Sequence, residues 1–136
     1  MGRFDILTKY IAIIQDDSIG KWVVDKENDG TPQHPIHMPF VEYSEMVNSF
    51  INDVYTFEES NKDMELTRYG DILIDNGIEW GTEYMKNVDV SKLNAQCVLA
   101  LIMGAVRAER FCDGALLDFF KSGCISKWIE RLNSIE

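Results

Sequence analysis

A chain of 136 residues, 46% apolar and 26% charged, is large enough to bury a core without disulfides or metals, and its proportions are those of a globular protein rather than a disordered or fibrous one. Its net charge of -10 repels nucleic-acid phosphates and anionic membranes, and it favours solubility or basic protein partners. The acid is unevenly placed: residues 1–93 carry 8 Lys/Arg against 18 Asp/Glu, whereas residues 94–136 carry 5 of each.

Three cysteines without a Cys-x-x-Cys pair argue for free thiols in a reducing, cytoplasmic setting. Met1-Gly2-Arg3-Phe4-Asp5 lacks the apolar stretch of a signal peptide, and no internal repeat is visible, so one domain over 1–136 is expected.

Phe4, Leu7, Ile11 and Ile14 recur at helical spacing and predict a first helix over about Arg3–Asp16. Lys21 to Val24 is short and β-prone, and Pro32, Pro35 and Pro39 enforce an extended passage. Together they predict at most a two-stranded ribbon, Trp22–Val24 with Met38–Val41. Ser44 is an N-cap for a second helix running to about Phe57, with Val47, Phe50, Ile51 and Val54 on one face. After an acidic linker, Glu58 to Asp63, a third helix over about Met64–Asp75 turns Leu66, Tyr69, Ile72 and Leu73 inward and closes at Asn76-Gly77. Ile78 to Lys86 is ambiguous, because Gly81 weakens the helical face of Trp80 and Tyr84, and Val88 to Leu93 reads as a connection.

The last third organises the rest. Ten consecutive residues, Cys97 to Val106, are apolar or Gly. A helix from Ala95 to Phe111, capped by Asn94, would be apolar all round and must therefore be covered on most sides. It is too short, and too charged at its end, to span a bilayer. Asp113 is a second N-cap candidate and Gly114 allows a tight turn. A helix through Leu116, Leu117, Phe119 and Phe120 follows, ended by Gly123, and Ile125, Trp128, Ile129 and Leu132 mark an amphipathic last helix over about Ile125–Asn133.

Arg107-x-Glu109-Arg110-Phe111-Cys112-Asp113-Gly114, followed by Leu116, Phe120, Ser122-Gly123, Ile125 and Arg131-Leu132, resembles the C-terminal signature of a bacterial family of uncharacterised proteins. Weaker similarity reaches Pro39-Phe40, Tyr43, Phe50 and Tyr55. The resemblance implies a bacterial origin and no particular reaction. The chain departs from that pattern at Ala105, Ala115 and Cys124, where relatives carry histidine, so the resemblance lends no support to histidine chemistry here.

Five constellations could carry chemistry. Asp25-Lys26-Glu27-Asn28-Asp29-Gly30 opens like a calcium loop, but Pro32 interrupts it and Ile36 stands where a bidentate Glu is needed; a solvated turn is the better account. His34 and His37, with Glu42 nearby, lack a third metal ligand. Cys112 lies between Arg110 and a helix start, features that activate a thiol, yet free cysteines are usually small buried residues. Arg107, Glu109, Arg110 and Asp113 could clamp an anionic ligand. The favoured account is a structural ion-pair network reaching acids such as Asp71 or Asp75, with the Arg110 guanidinium desolvated and paired. Residues 119–132 fit a helix-turn-helix template with Ser126, Lys127, Glu130 and Arg131 toward DNA, but Phe119 is bulky and the last helix offers only two cations on an acidic protein.

The expected architecture is a mainly α bundle of five or six helices around residues 95–111. The expected function is a non-enzymatic protein-interaction module without metal or cofactor, acting through a protein partner or self-association. The alternatives are an anionic-ligand binder or enzyme using Arg107 and Arg110, with Glu109, Cys112 and Asp113, and a nucleic-acid binder through residues 119–132.

Overall fold

The computed structural model describes residues 4–14, 20–23, 40–79, 81–110, 112 and 114–135. The proposed calcium loop, the three prolines, His34, His37, Trp80, Phe111 and Asp113 lie outside them.

Seven α-helices occur among the described residues: α1 Asp5–Thr8, α2 Glu45–Ser60, α3 Tyr69–Asp75, α4 Thr82–Lys86, α5 Ala95–Ala108, α6 Ala115–Lys121 and α7 Cys124–Ile135. β1 Gly20–Val23 and β2 Phe40–Tyr43 form an antiparallel ribbon in which Trp22 faces Val41. The mainly helical class is as expected. The helix count exceeds expectation because the ambiguous stretch contains α4. The ribbon's second strand lies two residues later than predicted, ending where the Ser44 cap begins.

All ten residues from Cys97 to Val106 are buried, so α5 is covered all round by α2, α3, α6 and α7. Asn94 caps it by accepting from the Cys97 amide at 2.9 Å. Burial of a single Leu, Ile or Phe contributes about 1.5–3 kcal/mol, and buried apolar residues from Phe4 to Leu132 join in one cluster with α5 at its centre. Aromatic contacts run through it: Tyr10 meets Phe50 edge-on at 5.2 Å between centroids, and Phe50 meets Phe120 in the same way at 5.5 Å.

Two predicted helices are broken. The first yields to a 3-10 turn, Lys9–Ala12, whose Tyr10 is buried while Ile13 is exposed. The third begins only at Tyr69, because Glu65 sits in a left-handed conformation (φ 54°) between two 3-10 turns, Lys62–Met64 and Leu66–Arg68. Its end follows prediction. Gly77 takes φ 77°, its amide donates to the Ile74 carbonyl at 2.9 Å, and the Ile78 amide donates to the Leu73 carbonyl at 2.8 Å. This is a Schellman closure, with Leu73 and Ile78 both buried beneath it.

Segment 86–93 is laced to the last two helices by polar contacts between residues far apart in sequence. Lys86 pairs with Asp118, and the Arg131 Nε and Nη2 atoms donate to the Leu93 carbonyl at 3.1 and 2.9 Å. Lys127 Nζ donates to the Val88 carbonyl at 3.4 Å. Asp89 caps the intervening 3-10 turn, Val90–Lys92, by accepting from the Ser91 amide.

Leu101 is wholly buried at mid-α5, so Leu101→Ala should lower unfolding free energy by about 2–5 kcal/mol. Denaturant melts check this; a change of a few tenths would contradict a tightly packed α5.

At the N-terminal edge, Tyr10 donates to Asp53 at 2.6 Å and Lys9 lies 3.1 Å from the same carboxylate. Burial first, then the hydrogen bond to Asp53 and that residue's charge, raise the Tyr10 phenol above its ordinary value of 10.0. With the folded pKa above the unfolded one, this stabilisation is complete below about pH 10 and is lost as pH rises further. Urea melts should therefore show wild type losing stability more steeply than Tyr10→Phe above about pH 10. Parallel losses would show that the phenol is not held in this way.

Candidate functional site

The stretch from Arg107 to Gly114 is where α5 stops and α6 starts, so it must satisfy the free backbone groups of two helix ends. Gly114 occupies the N-cap position with φ 91°, a left-handed conformation that suits a residue without a side chain, and it has no side-chain oxygen to offer. The missing acceptor comes from Glu109. Its carboxylate accepts from the Gly114 amide at 3.1 Å to each oxygen and from the Leu116 amide at 3.0 Å.

Tyr43, at the end of β2, completes the cap. Its hydroxyl donates to Glu109 Oε1 at 2.6 Å and accepts from the Leu117 amide at 2.9 Å. One hydroxyl thus acts as donor and acceptor, and one carboxylate lies at the positive end of α6. The consequence is mechanical: the ribbon, the exit from α5 and the start of α6 are fastened at one point.

The arginines serve neither Glu109 nor the α3 acids. Arg107, half-buried, lies over the Tyr55 ring of α2 with its guanidinium carbon 5.6 Å from the centroid, a cation–π geometry. Its Nε is buried and has no hydrogen-bond partner among the described residues. Arg110 is exposed and has no ion pair among the described residues. The expectation of a desolvated, paired Arg110 is therefore corrected: α5 ends at Ala108, and Arg110 falls in the turn beyond the packing. The expected partners are also placed elsewhere. Asp71 lies 3.4 Å from Arg68, and Asp75 is exposed.

Cys112 is exposed, whereas Cys97 and Cys124 are buried, and burial raises the Cys97 thiol above its ordinary value. The Cys112 amide donates to the Ala108 carbonyl and its carbonyl accepts from the Ala115 amide, so its backbone belongs to the turn. The cluster named from the sequence is thus brought together only in part: Glu109 turns inward to cap α6, Arg107 turns to α2, and Arg110 and Cys112 face solvent.

Tyr43 was absent from that cluster. It touches Glu109 across 66 positions in sequence, and an isolated Tyr beside an N-cap carries no local sign of that role. Two open hollows lie elsewhere. One, of about 470 Å³, is lined by Lys9, Tyr10, Ile13, Met46, Ser49, Asn52 and Asp53. The other, of about 640 Å³, is lined by Ile74, Gly77, Ile78 and Glu79. Among the described residues no three His, Cys, Asp or Glu side chains are grouped as a metal site requires, and no helix is long and apolar enough to cross a membrane.

These features define a mainly helical fold in which the turn from Arg107 to Gly114 ties two helix ends together. Residues 73–136, just under half of the chain, match a family of unknown function, DUF6508. The match begins in α3 and contains the whole α5–α6–α7 unit, but it does not reach Tyr43 or Tyr55. Neither the curated proteins nor the solved structures include a match to the chain.

The cap makes a stability prediction. Glu109→Gln replaces a charged acceptor of three donors and should cost about 1.5–3 kcal/mol. Tyr43→Phe leaves the Leu117 amide without its acceptor and should cost about 1–3 kcal/mol. Because both act on one network, the double variant should lose less than the two single losses added. Denaturant melts of the four proteins check this; strict additivity would show two independent contacts.

Proposed function

We propose that the chain is a non-enzymatic protein-interaction module of the bacterial cytosol. The observation that carries this reading is the state of Glu109. The signature's most versatile acid–base group is occupied by two backbone amides and a tyrosine hydroxyl, which leaves it a fold-holding role rather than a catalytic one. The charge distribution supports the same reading: 18 acids lie in residues 1–93 against 8 cations, a surface suited to basic protein partners. Three free thiols agree with a reducing compartment.

A second reading is favoured by one observation. A buried donor without an acceptor costs about 1–3 kcal/mol, and Arg107 carries one in its Nε, with Arg110 three residues on, exposed and without an ion pair among the described residues. An anionic small molecule held by both arginines is the ligand such a pair would take. Nucleic-acid binding through residues 119–132 has weaker support, because Lys127 and Arg131, the cations that it needs, donate to the Val88 and Leu93 carbonyls.

Thermal unfolding with phosphate, citrate and nucleotides distinguishes the first two readings, and a low-salt gel shift with random duplex tests the third. The interaction reading expects an unchanged midpoint and no shifted DNA. A saturable rise in midpoint, lost in Arg107→Ala and Arg110→Ala, would replace it with the anion reading. Duplex binding that weakens steeply with salt would replace it with nucleic-acid recognition.

A further inference from the structure

The closure of α3 leaves an unusual surface. Ile74 is 66% exposed although its neighbours Ile72 and Leu73 are buried, and it stands beside the hollow of about 640 Å³ at the helix end. Gly77 forms part of the wall with no side chain, and a Cβ built there would meet nothing within 4 Å. Ile78, held down by the hydrogen bond that its amide donates to the Leu73 carbonyl, supplies a buried apolar contact at the hollow's edge. The helix end therefore presents an apolar knob next to an apolar recess.

The rim is acidic. Asp71 lies one turn before Ile74, Asp75 follows it directly, and Glu79 lines the hollow; all three are exposed. Arg68 offsets Asp71 in part, and no Lys or Arg occurs between Arg68 and Lys86 in the sequence. A second copy presenting the same face would bring like charges together, which disfavours a symmetric dimer here. A small polar ligand would need converging donors, and among the described residues of the lining the charged side chain is Glu79, an acceptor.

We propose that this surface docks a segment of a partner protein that carries Lys or Arg on either side of a protruding apolar residue. The apolar residue seats against Ile74 and Ile78, and the flanking cations meet Asp71, Asp75 and Glu79. Apolar contact at the centre sets the lifetime of the complex, while the rim charges set its salt dependence. This inference rests on the interaction reading above and adds where the partner binds and what chemistry it carries.

A labelled 14-residue peptide of Lys and Leu, with leucines at helical spacing, is titrated by fluorescence anisotropy against the full chain. Wild type should bind it saturably, more weakly at higher salt, and should not bind the matched Glu/Leu peptide. Ile74→Ser should weaken binding at least tenfold with its melting midpoint unchanged, since the side chain is exposed. Asp75→Asn combined with Glu79→Gln should flatten the salt dependence. Ile13→Ser, at the other hollow, should bind as wild type does. Equal binding by wild type and Ile74→Ser would overturn this location but leave the interaction reading standing. No binding of the Lys/Leu peptide by wild type would overturn the partner chemistry. Concentration-dependent dimerisation in sedimentation, abolished by Ile74→Ser, would overturn the choice of partner in favour of a second copy.

Discussion

The structure depends on the burial of α5 on every side. A helix whose residues Cys97 to Val106 carry no hydrogen-bonding side chain beyond a thiol cannot face water on any flank, so its neighbours must surround it. That requirement explains features that look unrelated. α6 and α7 return against α5 through tight turns at Gly114 and Gly123, with φ 91° and 85°. The N-terminal helices arrive from the other sides. Polar chemistry is left to the helix ends: Asn94 at the start, and the Glu109–Tyr43 cap just beyond the finish.

That division explains what could be read directly from the residues. The apolar run of α5, the Ser44 and Asn94 caps, the Schellman glycine after α3 and the spacing of α7 are local patterns, and the structure contains each of them. The departures come from non-local contacts or from backbone competition. Apolar spacing alone does not reveal that Glu65 turns left-handed or that the first helix tightens at Lys9. Tyr10 was missed as a core residue because its hydroxyl suggests solvent; Asp53, 43 positions away, is what lets it be buried.

Arg107, Glu109 and Arg110 invite an ion-pair reading because opposite charges stand close in sequence. Helical geometry opposes it. Residues two apart point to nearly opposite sides of a helix, so Arg107 and Glu109 diverge where α5 ends. Arg107 is carried toward Tyr55 and Glu109 toward α6, and Arg110 lies past the last helical turn. The cluster was legible as a polar set at a helix junction. Its division among an aromatic ring, backbone amides and solvent required the positions of α2, β2 and α6, which no spacing rule supplies.

The placement of Glu109 also bears on how an acidic chain tolerates its own charge. A carboxylate held by backbone amides at a helix start needs no cation, because partial charges of the peptide groups stabilise it. Arg107 is released from any need to neutralise Glu109 and can lie over a ring, with its Nε buried and unpaired. The same economy does not extend to α3. Asp75 is the last residue of that helix, at its negative end, Glu79 lies four residues beyond, and no Lys or Arg occurs between Arg68 and Lys86. Among the described residues Asp75 and Glu79 have no ion pair, and they stand at the end of α3 beside the exposed Ile74. Grouped acids of one sign make a negative potential there, which is the electrostatic ground for a basic partner rather than an acidic one.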